Sequence, residues 1–432
     1  MSAKDRLPKQ VKALIVARAV NQLGGFSLAF LTVLLTRDFG ASLMAAGLVS
    51  AAFGLATIPS RLAGGRLADR WGRRRTIVAG LVALALAQLG VAAAPGLAVA
   101  TVCAVVMGLA FELFEPPSQA TIADAVPPAA RASAFELLTT AVAVGSLAAG
   151  VIADVVGRWS LRWLFVVDAG TGLACAVIVA LALAPDVKRS VTANSDAANS
   201  DTGESVAGES VPGETESPVS TASPWRDRGL LVVTGSGTVF ALVSMLMVSV
   251  LPLSLGAVGL NPANAGLIMA VSTGTLVLAR PALRNWRLTT LPDATVFVLG
   301  YLLMAAGFGG YALAHTLPAL LVPTALYSLG NLLAMGRSFA IVSELAPAEA
   351  SARYLAVYGL SWGVATLLAP LVGTWLIGAS GPGLLWGASA AVCAVMTVVQ
   401  PWIVRRVRSS QVDLGVIHST KPAAGRYDAM SI

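Results

Sequence analysis

The chain has 432 residues, 56% of them hydrophobic and only 12% charged, and its mean hydropathy is +0.78. A soluble domain of that composition would lack the polar surface to cover itself, so the sequence is that of an integral membrane protein. The net charge of +7 flanks apolar runs and forms no basic patch interleaved with aromatics, which speaks against a nucleic-acid partner.

About twenty apolar residues cross a bilayer as a helix. By that rule the chain reads as twelve spans, near 11–36, 43–65, 76–95, 98–125, 132–157, 162–184, 229–255, 263–284, 293–314, 318–346, 351–379 and 383–404. The first run carries Arg18 and Asn21 and is too long for a signal-peptide core, so it is expected to remain as span 1. Arg37, Arg158 and Arg162 fall in loops of one side. The other side holds Lys4, Arg6, Lys9, Lys12, the cluster from Arg66 to Arg75, Arg131, Arg284, Arg287 and the cluster from Arg405 to Arg408. That basic side is expected to be cytoplasmic, with both termini inside and the protein in the inner membrane. Trp159 and Trp163, around the turn between spans 5 and 6, read as interfacial anchors.

Residues 186–228 are rich in Ser, Thr, Asp, Glu, Gly and Pro and cannot bury enough apolar area to offset their ordering entropy. The expected organisation is a six-span bundle over 1–185, a flexible cytoplasmic linker over 186–228, a second bundle over 229–404 and a tail over 405–432. The halves repeat. Gly47 and Arg61 of span 2 match Gly266 and Arg280 of span 8 at one offset of 219. Ser118, Ala120, Asp124 and Pro127 match Ser338, Ala340, Glu344 and Pro347 at 220. The fold class is therefore an all-α membrane protein, with twelve transmembrane helices in two pseudo-symmetric six-helix bundles.

Between spans 2 and 3 the chain reads Gly65-x-Leu67-Ala68-Asp69-Arg70-x-Gly72-Arg73-Arg74-x-x-Ile77. Two glycines let a helix end run close to its neighbour and then turn sharply, while Asp69 sits at the negative end of span 2 and needs a cation. The stretch resembles the loop motif between spans 2 and 3 of the major facilitator superfamily. That resemblance implies a charge cluster of Gly65, Asp69, Arg70, Gly72, Arg73 and Asp124 that gates the cytoplasmic side, with Arg73 reaching the acid at the end of span 4. The alternative is a positive-inside anchor that only sets topology. Asp69 aligns with Leu288 in the second half, where Arg284 and Arg287 are the surviving charges, so the gating charge is expected to be asymmetric.

Ionisable residues within spans cost at least about 2.5–3.5 kcal/mol unless paired or wetted, which makes them functional candidates. The deep ones are Arg18, Glu112, Glu115, Asp168 and Arg337. The resemblance places spans 1, 4, 7 and 10 around a central cavity, and with them Arg18, Asn21, Glu112, Glu115 and Arg337. Glu112 and Glu115 are expected one turn apart on one helix face, where two acids in low dielectric should not both stay ionised. That suits proton coupling, with Glu115 as carrier beside a kink at Pro116-Pro117 and Glu112 as a contact for a cationic or polar substrate. The alternative is a permanent ion pair of one glutamate with Arg18 or Arg337. For Asp168 a structural role is favoured. Tyr354, Tyr358 and Trp362 stand at helical spacing and read as an aromatic substrate contact or as a packing stripe.

Cys103, Cys175 and Cys393 lie within apolar runs without metal-ligand spacing, and no nucleophile constellation or phosphate loop is present, so neither a metal site nor an enzyme is expected. The resemblance looks closest to bacterial twelve-span exporters. It implies proton-driven efflux of a drug or metabolite by a monomer with no cofactor beyond the proton gradient, its partners being a small-molecule substrate, protons and the bilayer. Uptake of a small metabolite, and a non-transporting scaffold of the same fold, are the alternatives.

Overall fold

The computed structural model describes residues 7–183, 224–285, 291–346 and 351–419. Span 1 is split into α1 (Lys9–Gln22) and α2 (Ser27–Asp38), and spans 2 and 3 are α3 (Leu43–Trp71) and α4 (Arg73–Ala93). Span 4 is also split, into α5 (Leu97–Phe111) and α6 (Glu115–Ala125). Spans 5 and 6 are α7 (Pro128–Gly157) and α8 (Leu161–Ala182). In the second half span 7 is α9 (Arg228–Ser249) with a short extension, α10 (Leu251–Ala257), and span 8 is α11 (Asn264–Asn285). Spans 9 to 12 are α12 (Asp293–Leu313), α13 (Leu317–Leu345), α14 (Ser351–Ser380) and α15 (Pro382–Ser419).

Among the described residues ten helical stretches are long and apolar enough to cross a membrane unaided. The split first span and α11 complete the twelve, so the start of α1 and the end of span 12 lie on one face, called here the terminal face. The segment 186–228 falls almost wholly outside the described residues. Its last part forms a 3-10 turn, Pro224–Arg226, and Asp227, whose carboxylate accepts from Leu230 N at 3.1 Å and caps α9. Large apolar side chains such as Leu86, Val102, Leu181 and Val398 are exposed around the bundle, as a lipid-facing belt requires. Trp159 and Trp163 are exposed at the turn between α7 and α8, where the sequence placed anchors.

Glycines set how closely the helices approach. Span 1 breaks at Gly24-Gly25 because α8 lies against it, and a Cβ on Gly24 would stand 2.5 Å from Asp168 Cα. Asp168 itself is buried in that contact. The two halves meet along two seams. In one, Gly150 of α7 and Gly266 of α11 touch backbone to backbone, and a Cβ on either would lie 2.4 Å from the carbonyl oxygen of the other. In the other, Gly47 of α3 sits against Thr374 of α14, and a Cβ on Gly54 would be 2.8 Å from the Thr366 carbonyl oxygen. The repeated pair Gly47 and Gly266 thus occupies corresponding places on the two seams. Small residues permit such approach where no hydrophobic effect drives helices together. Near the face opposite the chain ends, Arg158 is held by Asp154 at 2.8 Å and donates across the first seam to Asn264 at 3.3 Å.

The repeat also holds in detail. Ser118 and Ser338 are both buried, and each donates to the carbonyl four residues back, at 2.6 and 2.9 Å. Asp124 and Glu344 each end in an ion pair with an arginine.

Candidate functional site

The site is built around the interruption of span 4. The helix stops at Phe111, passes through Glu112–Phe114 as a tight turn, with Glu115 N bonded to Glu112 O at 3.3 Å, and restarts at Glu115. Pro116 and Pro117 fall in the first turn of α6, where a missing N–H leaves nothing unsatisfied, so they begin a helix and do not kink one. Two residues of α3 hold the turn in place. Gly64 lets the Leu113 carbonyl in, since a Cβ there would be 2.3 Å from that oxygen, and Ser60 Oγ accepts from Glu112 N at 3.1 Å.

The break corrects one expectation: Glu112 and Glu115 do not share a helix face. Glu115 sits at the positive N-terminal end of α6, a favourable place for an acid. It forms an ion pair with Arg18 of α1 and accepts from Gln119 Nε2 at 2.9 Å, while the Arg18 guanidinium also lies 4.8 Å from the centre of the Phe114 ring. Glu112 stands at the negative C-terminal end of α5, and its carboxylate has no hydrogen-bond or ion-pair partner among the described residues. The charged groups that act on it are Arg61 of α3, Glu115 and Arg18. A paired acid and a half-buried one without a bonded partner among the described residues thus lie near two arginines, Arg18 and Arg61.

Just beyond this cluster, toward the opposite face, lies a cavity of about 230 Å³ between the halves. Gln22 and Phe26 at the break in span 1 and Ser146 of α7 line it from the first half. Met247, Met269, Ser272, Thr273 and Tyr327 line it from the second. Behind Tyr327, Asn331 Nδ2 donates to Ser244 Oγ at 2.8 Å and to the Tyr327 hydroxyl at 3.4 Å.

Other candidates go elsewhere. Arg337 does not join the glutamates but pairs with Asp293 at 3.0 Å, near the terminal face. Its partner opens α12, 44 residues earlier in the chain, and no spacing rule would reveal it. Tyr358 is 1% exposed and packs edge-on against Phe339 at 5.3 Å, with Gly237 beneath its ring. Trp362 packs edge-on to Phe240 at 6.1 Å, and Tyr354 donates to Asp227 at 3.0 Å. Tyr358 and Trp362 thus contact rings of spans 10 and 7, and Tyr354 joins span 11 to the residue that caps α9. Asn21 faces α8 at Gly172. The aligned side chain of Arg280, Arg284 and Arg287 lie outside the described residues.

In the loop motif, Gly72 links α3 to α4 as a single residue at φ 93°, a left-handed backbone that suits glycine. Gly65 has open space around it, and the close approach expected of it is made by Gly64. Arg73 reaches Asp124 at 2.6 Å and the Ala120 carbonyl at 3.3 Å, and Arg74 donates to the Ala180 carbonyl at the end of α8. Asp69 and Arg70 are exposed. Asp69 has no hydrogen-bond or ion-pair partner among the described residues. The structure therefore joins Arg73 to Asp124 and leaves Asp69 apart. Sequence reasoning missed Asp293 and Arg408, which meet each other near the terminal face, and the lining of the cavity by Gln22 and Thr273.

A split span 1, a broken span 4 and an inter-half cavity with buried charge beside it define a membrane transporter of the two-bundle type. The sequence profile of the Major Facilitator Superfamily matches residues 14–283 and 233–426, and the chain belongs to that family. It is 24% identical over 396 residues to the uncharacterized MFS-type transporter YhjO of Bacillus subtilis, covering 91% of this chain and 92% of that one. It is 27% identical over 353 residues to the multidrug resistance protein MdtH of Cronobacter sakazakii, covering 78% and 80%. Among solved structures, the POT family transporter PepTSo superposes with a TM-score of 0.72 at 14% identity, covering 94% and 99%. The protein is accordingly a multi-pass transporter and not an enzyme.

Proposed function

We propose that this transporter exports a small organic molecule against a proton gradient by alternating access, with the terminal face cytoplasmic and one chain forming the whole path. The halves 1–185 and 229–404 act as the two moving bodies, tethered by 186–228. The basic residues that crowd the terminal face support this orientation. Similarity to a protein named for multidrug resistance supports export.

The observation that supports coupling is the charge cluster in which Glu115 is bonded to Arg18 while Glu112, without a bonded partner among the described residues, stands near Arg61 first and then Glu115 and Arg18. Glu115 is held by Arg18 and Gln119, whereas Glu112 stands at the C-terminal end of α5 and has no bonded partner among the described residues. The geometry thus supports Glu112 as the proton carrier, in place of Glu115. When Glu112 loses its proton, its charge acts on Arg61 and on Arg18, and the pair of Arg18 with Glu115, which ties α1 to α6, weakens. Proton state and helix packing are linked through these arginines.

The test is transport into proteoliposomes under an imposed pH gradient, beside equilibrium binding in detergent across pH. Glu112→Gln is expected to lower gradient-driven accumulation at least about tenfold while binding persists with a flattened pH dependence. Glu115→Gln is expected to lower thermal stability as well, because Arg18 loses its ion-pair partner. Wild-type flux and an unchanged pH profile in both variants would sink the coupling reading and leave facilitated diffusion.

A further inference from the structure

The cavity between the halves is lined by no Asp, Glu, Lys, Arg or His side chain. Its walls have two distinct characters. Met247 and Met269 from the second half and Phe26 from the first give it an apolar, partly adaptable surface, since methionine fits irregular shapes. Gln22 and Thr273 face it from opposite halves, and neither side chain has a hydrogen-bond partner among the described residues. Groups of this kind beside a cavity are left to solvent or to a ligand.

Arg18 and Asp154, on either side of the cavity, are already engaged in ion pairs with Glu115 and Arg158. Arg18 is one helix turn before Gln22 on α1, so the two share a face, and Arg18 is bound to Glu115. A cation in the cavity would meet no carboxylate on its lining and an anion no guanidinium there, and either would lose hydration without gaining a partner from the walls. An uncharged molecule escapes that penalty. The volume of about 230 Å³ far exceeds the few tens of Å³ that one water occupies, and is on the scale of a ring-sized body.

We propose that this cavity selects an uncharged amphipathic molecule, holding its carbonyl or hydroxyl edge with Gln22 and Thr273 and its apolar body with Met247, Met269 and Phe26. The proposal rests on the reading of the chain as a transporter and names the substrate class of the cavity. It departs from the expectation of a cationic substrate at Glu112. Because Gln22 and Thr273 belong to different halves, a bound molecule bridges the two bodies that must move. The turn of α1 between Gln22 and Arg18 then links occupancy to the charged cluster.

The experiment uses the full-length protein in detergent, with no gradient, so that its outcome is separate from that of the coupling test. Radiolabelled chloramphenicol, a neutral amphipathic molecule with amide and hydroxyl groups, is compared with tetraphenylphosphonium, an apolar cation. Chloramphenicol is expected to bind at least about tenfold more tightly, a difference of about 1.4 kcal/mol. Gln22→Ala and Thr273→Ala should each weaken it several-fold, and Met269→Trp, which fills the space, should abolish it while the thermal melting temperature stays near wild type. Gln22→Glu should move the preference toward the cation. Equal or tighter binding of tetraphenylphosphonium to the wild type overturns the proposal, as does failure of chloramphenicol to bind or indifference of its binding to all three lining positions.

Discussion

At the terminal face the two halves solve the same mechanical problem with opposite charge. In the first half Arg73, which opens span 3, pairs with Asp124 at the end of span 4, and its neighbour Arg74 binds the end of span 6. The repeat offset of 220 carries Arg73 onto Asp293 and Asp124 onto Glu344, so both positions in the second half are acids. Arg408, from the end of span 12, joins them: it contacts Asp293 and lies 2.9 Å from Glu344. Arg337 of span 10 adds a third link to Asp293 at 3.0 Å. The helices tied together correspond, third to fourth and sixth in one half, ninth to tenth and twelfth in the other. What the duplication preserved is which helices are clamped and the acid that ends spans 4 and 10, but not the sign of the residue that opens spans 3 and 9. The expected asymmetry of gating charge concerned the loop, whose Arg284 and Arg287 side chains lie outside the described residues; here the cation that joins the acids comes from span 12.

The comparison is broken most severely at Asp293, whose side chain is 11% exposed and bonded to two arginines. Asp293→Ala leaves Arg337 and Arg408 facing each other across an emptied site. It is expected to destabilise the protein by about 1–3 kcal/mol after allowance for the exposure of the arginines, read as a lower melting temperature in detergent. Asp124→Ala removes one exposed pair, 61% accessible on the acid side, and should move the same melting point by no more than about 1 kcal/mol equivalent. Its larger effect should fall on transport rate, if the pair holds the terminal face in one of the two states. A polarity swap sharpens the point. Arg73→Asp alone sets two acids together and should destabilise, whereas Arg73→Asp with Asp124→Arg rebuilds the pair with each charge at the helix end that suits it. Recovery of melting temperature and flux in the double variant is expected; failure to recover either would tie function to the residues and not to the clamp. The smallest effect belongs to Asp69→Asn, because that exposed acid has no partner among the described residues, and stability should be unchanged within measurement.

The twelve spans were legible because hydropathy is a local property, summed over about twenty residues. Breaks within them were not. The Gly24-Gly25 interruption exists because α8 presses on span 1, and nothing in a hydrophobic run announces its neighbour. The proline pair did announce a break in span 4 but not its place, since proline starts a helix as readily as it ends one. Charge partners show the same limit. Arg18 and Glu115 were readable as buried ions without revealing which acid would be taken, and Arg337 was read as a cavity residue because its helix, not its depth or its partner, was visible. Tyr358 stood at the right spacing for two roles, and its neighbours, the ring of Phe339 and the bare Gly237, come from other helices that spacing alone does not name.

The contact of Gly150 with Gly266 bears on how easily the molecule can change state. Where side chains interdigitate, two bodies must first withdraw their teeth before they part, and that withdrawal is a barrier. Here the closest approach is backbone to backbone with only the methyl groups of Ala153 and Ala270 beside it, and Asn264 and Arg158 form a catch at the rim. At that point the joint behaves as a plain bearing: glycine and alanine have no rotamer that must turn. A single methyl group at Gly266 would act as grit in that bearing, holding the seam ajar and shifting the resting population toward the state open on the opposite face.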